Sequence, residues 1–221
     1  MPTKVTRHRE PLTRDQVVDA ALRLMDDEGL DAVSMRRVAR EVGVEAMSLY
    51  NHVRDKEDLL DGVVERIMAG FRFPDGGAVT DPVTYGRTIA LEWRALLKAH
   101  PNVIALFAHQ HKPMRSLGSL RPMEVALQTL RDMGLSVEDS LRAFQVIGGY
   151  IMGYVMMETG QMFTPGDDDA GVFALELPAD ELPCIAATIP YMADCDVDAQ
   201  FEFGLDLMLD GLAARAARRD A

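Results

Sequence analysis

Apolar positions recur at spacings of three and four along almost the whole chain, and strand-like alternation is absent. This periodicity predicts an all-α protein. Thr13, with Gln16 three places on, is a capping-box start for a first helix whose inner face is Val17, Ala21, Leu24 and Met25. Gly29 stops it. Ser34 caps a short second helix with the stripe Met35, Val38, Ala39 and Val42, which Gly43 breaks. A third short helix is expected from about Glu45 to His52. Asp55 caps a fourth, with Leu60, Val63, Val64 and Ile67 facing inward.

The stretch 73–80, with Pro74, Gly76 and Gly77, reads as a linker. It separates a helix-turn-helix domain, residues 1–70 with a basic arm at 1–11, from a helical body, residues 81–221. Asp81-Pro82 opens a helix to about Ala99, and another runs from Pro101 to about His109. Residues 111–119 look irregular, and Leu120–Met133 looks helical up to Gly134. Ser136 caps a long helix to about Glu158. An acidic loop is expected at 164–181, then helices near Leu182–Met192 and Asp198–Arg218.

Chemistry concentrates in Ser34-Met35-Arg36-Arg37-Val38-Ala39-Arg40-Glu41-Val42-Gly43-Val44. A short amphipathic helix ends at a glycine and another begins within three residues, the layout of a helix-turn-helix. The third helix has the composition of a groove reader. Leu49 and Val53 share an inner face, leaving Ala46, Met47, Ser48, Asn51 and His52 outside. Ser, Asn and His hydrogen-bond to base edges or phosphates, and Ala or Met can touch a thymine methyl. Tyr50 can give its hydroxyl to a phosphate. Lys56 puts a cation beside a helix N-terminus, a natural phosphate site. Arg36 can reach a guanine or the backbone, with Ser34 beside it. Of the three arginines on this helix, Arg36 is the expected DNA contact.

The charge balance sharpens this picture. The chain has 221 residues and a formal charge of −12, which on its own argues against nucleic acid. Residues 1–72, however, hold 12 Lys+Arg against 14 Asp+Glu, whereas residues 73–221 hold 11 against 21. Phosphate contact is local, so a nearly neutral head serves if its cations share one face. No apolar run reaches the ~18–20 residues of a membrane span, and no signal-peptide pattern is present, so a cytoplasmic location is expected. Cys184 and Cys195 read as ordinary thiols, and no metal or cofactor is expected.

The run from Gly43-Val44 through Leu49-Tyr50-Asn51-His52-Val53-Arg54-Asp55-Lys56-Glu57-Asp58-Leu59-Leu60 resembles the signature of the TetR family of bacterial regulators. The match covers about residues 12–68. It implies a DNA-binding head, with the tyrosine and lysine on phosphates, in a homodimer on a palindromic operator. Trp93-Arg94-Ala95-Leu96-Leu97 with His100, and Met133-Gly134-Leu135-Ser136 before a Gly148-Gly149-Tyr150 helix, resemble the tetracycline-repressor branch. In tetracycline-binding members a magnesium-holding histidine falls at Phe107 of this chain. A phenyl ring cannot ligate a metal, so a magnesium–tetracycline complex is not the expected ligand.

Together these readings predict a transcriptional regulator without enzyme activity, a homodimeric repressor released from its operator by a small, largely apolar effector. Trp93, Phe107, Met123, Phe144 and Met152 are candidate pocket residues among 14 methionines and eight phenylalanines. The helices near 136–158 and 198–218 carry glycines among apolar residues and suit a dimer interface. Two alternatives remain open at this level: a body that binds a protein partner, and an activator.

Overall fold

The structure, a computed structural model, describes residues 11–73, 81–109, 116–160, 180–192 and 196–218. The described residues contain helices and no strand. The basic arm, the linker after Phe73, most of the acidic loop and Cys195 lie outside them. The chain forms two compact units, one of residues 1–71 and 102–122, the other of residues 72–101 and 123–221.

In the first unit, α1 (Arg14–Glu28) opens at the expected capping box. Thr13 Oγ1 accepts the Gln16 N–H and the Gln16 side chain accepts the Thr13 N–H. Its inner face is Val17, Val18, Ala20, Ala21, Leu24 and Met25. A 3-10 turn at Leu30–Ala32, which the helical spacing did not reveal, brings the chain to α2 (Met35–Val42). Gly43 ends α2 at φ 70°, ψ 39°, a left-handed conformation that a Cβ resists. Its neighbour Val44 then donates back to Ala39 O. α3 (Ala46–Leu49) and α4 (Lys56–Ala69) complete the head. The buried stripe of α4 includes Leu59, Val63, Val64, Ile67 and Met68. Leu59 therefore takes the inward place expected for Leu60, which is only half-buried. Residues 59, 63 and 67 form an i, i+4 row, and Leu60 lies on its flank.

The same unit includes α6 (Val103–His109), with Val103, Ile104 and Leu106 buried. Asn102 Nδ2 donates to the carbonyls of Met25 and Asp26 at 3.0 Å each. That satisfies backbone acceptors in the last turn of α1.

The second unit is built from α5 (Pro82–Ala99), most of α7 (Leu117–Asp132), α8 (Val137–Glu158), α9 (Pro183–Met192) and α10 (Val197–Ala217). α7 begins three residues earlier than its apolar spacing suggested. Ser116 starts it, its Oγ accepting the Ser119 N–H at 3.1 Å, so 117–119 are helical rather than irregular. Leu130, Leu135, Ala143 and Ala216 form a core where α7, α8 and α10 meet, with Met133, Phe144, Ile147 and Leu212 packed on it. A second knot is ionic and aromatic. The buried Arg94 guanidinium of α5 bonds Glu158 at the end of α8 and Asp198 at the start of α10. Its carbon also lies 4.3 Å from the centre of the Phe201 ring, a cation–π arrangement. Burial works against the Arg94 charge, but the two carboxylates outweigh it and hold the pKa above the ordinary arginine value.

Candidate nucleic-acid interface

The turn at Gly43 sets α2 and α3 on a shared core of Val38, Ala39, Leu49 and Val53, all buried. That buried side fixes what is left outside. Met47 is 74% exposed and Tyr50 47% exposed. Asn51, Arg36 and Lys56 are exposed, while Ala46, Ser48 and His52 are half-buried. Ser34 Oγ is committed as the α2 cap, accepting the Arg37 N–H at 3.4 Å, and retains its O–H as a donor.

The third helix is shorter than its sequence suggested. It ends at Leu49, and Tyr50, Asn51 and His52 form tight turns. Their N–H groups reach three residues back, to Met47 O at 3.3 Å, Ser48 O at 3.4 Å and Leu49 O at 2.8 Å. The chain must tighten here to bury Val53 and reach the Asp55 cap within a few residues. Tyr50, Asn51 and His52 thus sit on the turn that follows the helix.

Ion pairing divides the cations of the head. Arg37 is bound by Glu28, and this hydrogen bond holds the Glu28 carboxyl below its ordinary pKa. Arg66 pairs with Asp19 at 2.7 Å, and Arg14 with Asp58 at 3.3 Å and Glu65 at 3.6 Å. The side chains that bridge α1 to α4 are therefore engaged in holding the head together. Arg36 and Arg40 are exposed on α2, Lys56 stands at the first position of α4, and Arg54 is exposed between His52 and Lys56. Lys56, beside the N-terminus of α4 and the Asp55 cap, offers a charge and helix N–H groups together. Arg36 and Arg40 are thus alike in exposure, and Arg37 is the arginine of α2 that pairs with Glu28. Asp58, three places after the Asp55 cap, gives its N–H to that cap and accepts the Arg54 N–H on its own side chain, a pairing the sequence reading did not include.

The candidate effector residues fall in both units. Trp93, Met123, Phe144 and Met152 are half-buried in the second unit, and Phe107 is half-buried in the first. Phe144 packs on the core of α7, α8 and α10. Trp93 lies next to Arg94 of the ionic knot in sequence. Among the described residues no group of three or more His, Cys, Asp and Glu side chains could hold a metal ion.

Residues 17–63 match the family model for bacterial regulatory proteins of the tetR family, and residues 84–216 match the tetracyclin repressor-like C-terminal domain. The chain belongs to the TetR family. Among its relatives is the transcriptional repressor DrrR1 of Streptomyces coeruleorubidus, 33% identical, the match spanning 94% of this chain and 80% of that protein. The class A tetracycline repressor from transposon 1721 in Escherichia coli is 30% identical over 92% of both chains. In structure the chain resembles apo ActR from Streptomyces coelicolor, with a TM-score of 0.81 at 26% identity, covering 96% of this chain and 99% of that one. ActR in complex with actinorhodin superposes with a TM-score of 0.76 at 28% identity, over 93% and 97% of the two chains. As a TetR-family member the chain is a transcriptional regulator with a helix-turn-helix head, not an enzyme. No helix among the described residues is long and apolar enough to cross a membrane.

Proposed function

We propose that this TetR-family protein is a homodimeric repressor that binds a palindromic operator and leaves it when a small, largely apolar effector occupies its body. The observation that carries the DNA half is the exposed surface around the Gly43 turn. Met47, Tyr50, Asn51, Arg36 and Lys56 present thymine-methyl, base-edge and phosphate chemistry above a buried support of Leu49 and Val53. Ser34, Ala46, Ser48 and His52 complete the set.

Dimerisation is supported by an exposed face on α8 and α10. Val146 and Met157 on one side of α8, and Phe203 and Leu207 on one side of α10, stand open to solvent. Gly149 and Gly211 leave open space beside them, where a second copy's helices can approach closely. Two heads then read half-sites about one DNA turn apart, ~34–36 Å. The ActR–actinorhodin complex and the repressor relatives support release by a bound ligand. Trp93, Met123, Phe144 and Met152, all in the second unit, remain the proposed effector contacts, and Phe107 of the first unit is not counted among them; a cytoplasmic site of action is part of the same proposal.

The test is selection of duplexes from a random-sequence library by the full-length protein. An enriched palindrome with half-sites one turn apart, bound by a dimer in sedimentation, is the expected result. Tyr50→Phe should weaken binding to every enriched sequence alike, whereas Asn51→Ala should relax one position of the half-site. Enrichment of no duplex at low salt would overturn the reading.

A further inference from the structure

Asp58 is a carboxylate two positions after Lys56, a residue proposed to meet phosphate. Simple electrostatics makes such a charge a handicap. Its two oxygens nevertheless have two different tasks. Oδ1 accepts from Arg14 Nη2 at 3.3 Å, which ties α4 to α1. Oδ2 accepts the Arg54 backbone N–H at 2.9 Å and lies 3.6 Å from Arg54 Nε. The Asp58 N–H in turn donates to the Asp55 cap at 2.8 Å, closing the turn 54–58 on itself.

The exposures of the two partners differ sharply. The Asp58 side chain is 15% exposed, whereas that of Arg54 is 76% exposed. Arg54 is hydrogen-bonded at its backbone, with its Nε in ion-pair range of the same carboxylate and most of its side chain exposed. It sits between His52 and Lys56, two positions already assigned to DNA. The Arg54 N–H bond, followed by the arginine side chains, keeps the Asp58 carboxyl below its ordinary pKa.

From this geometry we infer that Asp58 is a positioning residue for DNA binding, aiming Arg54 as a second phosphate contact beside Lys56. The inference rests on the DNA-binding reading and adds a residue pair to it. A charged oxygen that fixes one arginine in place exchanges a diffuse repulsion for one directed, bidentate-capable phosphate contact.

The sign of one substitution separates the two effects. Asp58→Asn removes a negative charge near DNA, so charge alone predicts tighter binding. Positioning predicts binding weaker by about tenfold, with a salt slope shallower by about one per head, as for a lost phosphate contact. The measurement is affinity of the full-length protein, across a range of salt, for a duplex that the wild type enriches from a random library. Arg54→Gln should show the same loss and the same slope, and the double variant should be no weaker than Arg54→Gln alone. Arg14→Gln removes only the α1 tie, and should lower Tm while leaving DNA affinity in place.

Wild-type or tighter binding by Asp58→Asn, an unchanged slope, or additive losses in the double variant would each overturn the inference. So would Arg14→Gln weakening DNA binding as much as Asp58→Asn, because the carboxylate would then act through the fold. Arg54 is a surface residue whose replacement folds whatever Asp58 does, and its variant keeping full affinity and slope is equally decisive. A wild type that enriches nothing fails the DNA reading itself and removes this inference with it; an enriched duplex indifferent to both variants fails the inference alone.

Discussion

The Arg94 knot predicts a marked asymmetry between two substitutions that look alike on paper. Arg94 bonds two carboxylates, but the Glu158 side chain is 6% exposed and that of Asp198 is 69% exposed. Removing one member of a buried pair leaves the other charge buried and unmatched, a loss of about 3–5 kcal/mol. Glu158→Gln keeps the volume and one oxygen, and Asp198 remains at 2.6 Å, so the lower end, about 3 kcal/mol, applies. Asp198→Asn breaks a bond to an exposed partner and should lose less than about 1 kcal/mol. For a chain of this size these become a fall in Tm of roughly 6–12 °C against 4 °C or less. Replacing the pair together, as Arg94→Met with Glu158→Leu, removes both desolvated charges and should restore most of the loss. Thermal and urea unfolding at a single protein concentration is the assay, because a dimer's stability depends on concentration. Equal losses at Glu158 and Asp198, or a double variant worse than Glu158→Gln, would refute the assignment of the buried pair as the stabilising one.

Gly43→Ala should cost about 1–2 kcal/mol, since its φ of 70° disfavours a Cβ, and should lower Tm without moving the urea m-value. Gly204→Ala would press its methyl into the Tyr150 ring and hydroxyl and destabilise by about 1–3 kcal/mol, whereas Gly211, with open space around it, should gain up to about 1 kcal/mol of helix stability as Ala within the monomer. If Gly211→Ala nonetheless weakens self-association in sedimentation, a partner helix lies against that face. Glu28, Asp58 and Asp139 have folded pKa values below their ordinary 4.5, 3.8 and 3.8, so they contribute stability above those values, lost as pH falls through the lower folded ones. The urea midpoint should hold from pH 7 to about 5 and drop steeply below pH 4, and a flat profile down to pH 3 would contradict the ion pairs.

The helical framework was legible because its punctuation is local. Thr13, Ser34, Asp55, Asp81 and Ser136 each cap the helix their position announces, through a bond spanning two or three residues. Where tertiary packing decides, the pattern failed. Residues 50–52 were expected to continue the third helix, yet they make tight turns just before the buried Val53. The choice of Leu59 over Leu60 is likewise an orientation of α4 against α1 that adjacent leucines cannot specify. The long-range pairs Arg94–Glu158 and Arg14–Asp58 join residues 64 and 44 positions apart, beyond any local spacing rule. The helix-turn-helix was legible because it is one short segment, capped at Ser34 and turned at Gly43. The division of the head's cations between structure and reading face was not, because it depends on which carboxylates lie across from them.

That division resolves the tension between a chain of charge −12 and a nucleic-acid target. Counting charges treats every carboxylate as equally opposed to DNA. In the head, Glu28, Asp19 and Glu65 face arginines across helix contacts, so each such pair presents little net field at the reading surface. Arg36, Arg40, Arg54 and Lys56 are the exposed cations around the Gly43 turn, and counterion release depends on these local contacts rather than on the sum over the chain. At physiological salt, charges more than about 8 Å from a phosphate are largely screened. The acidity of residues 73–221 then acts chiefly as a colloidal and steering term, opposing promiscuous adhesion to nucleic acid while leaving close contact to the head.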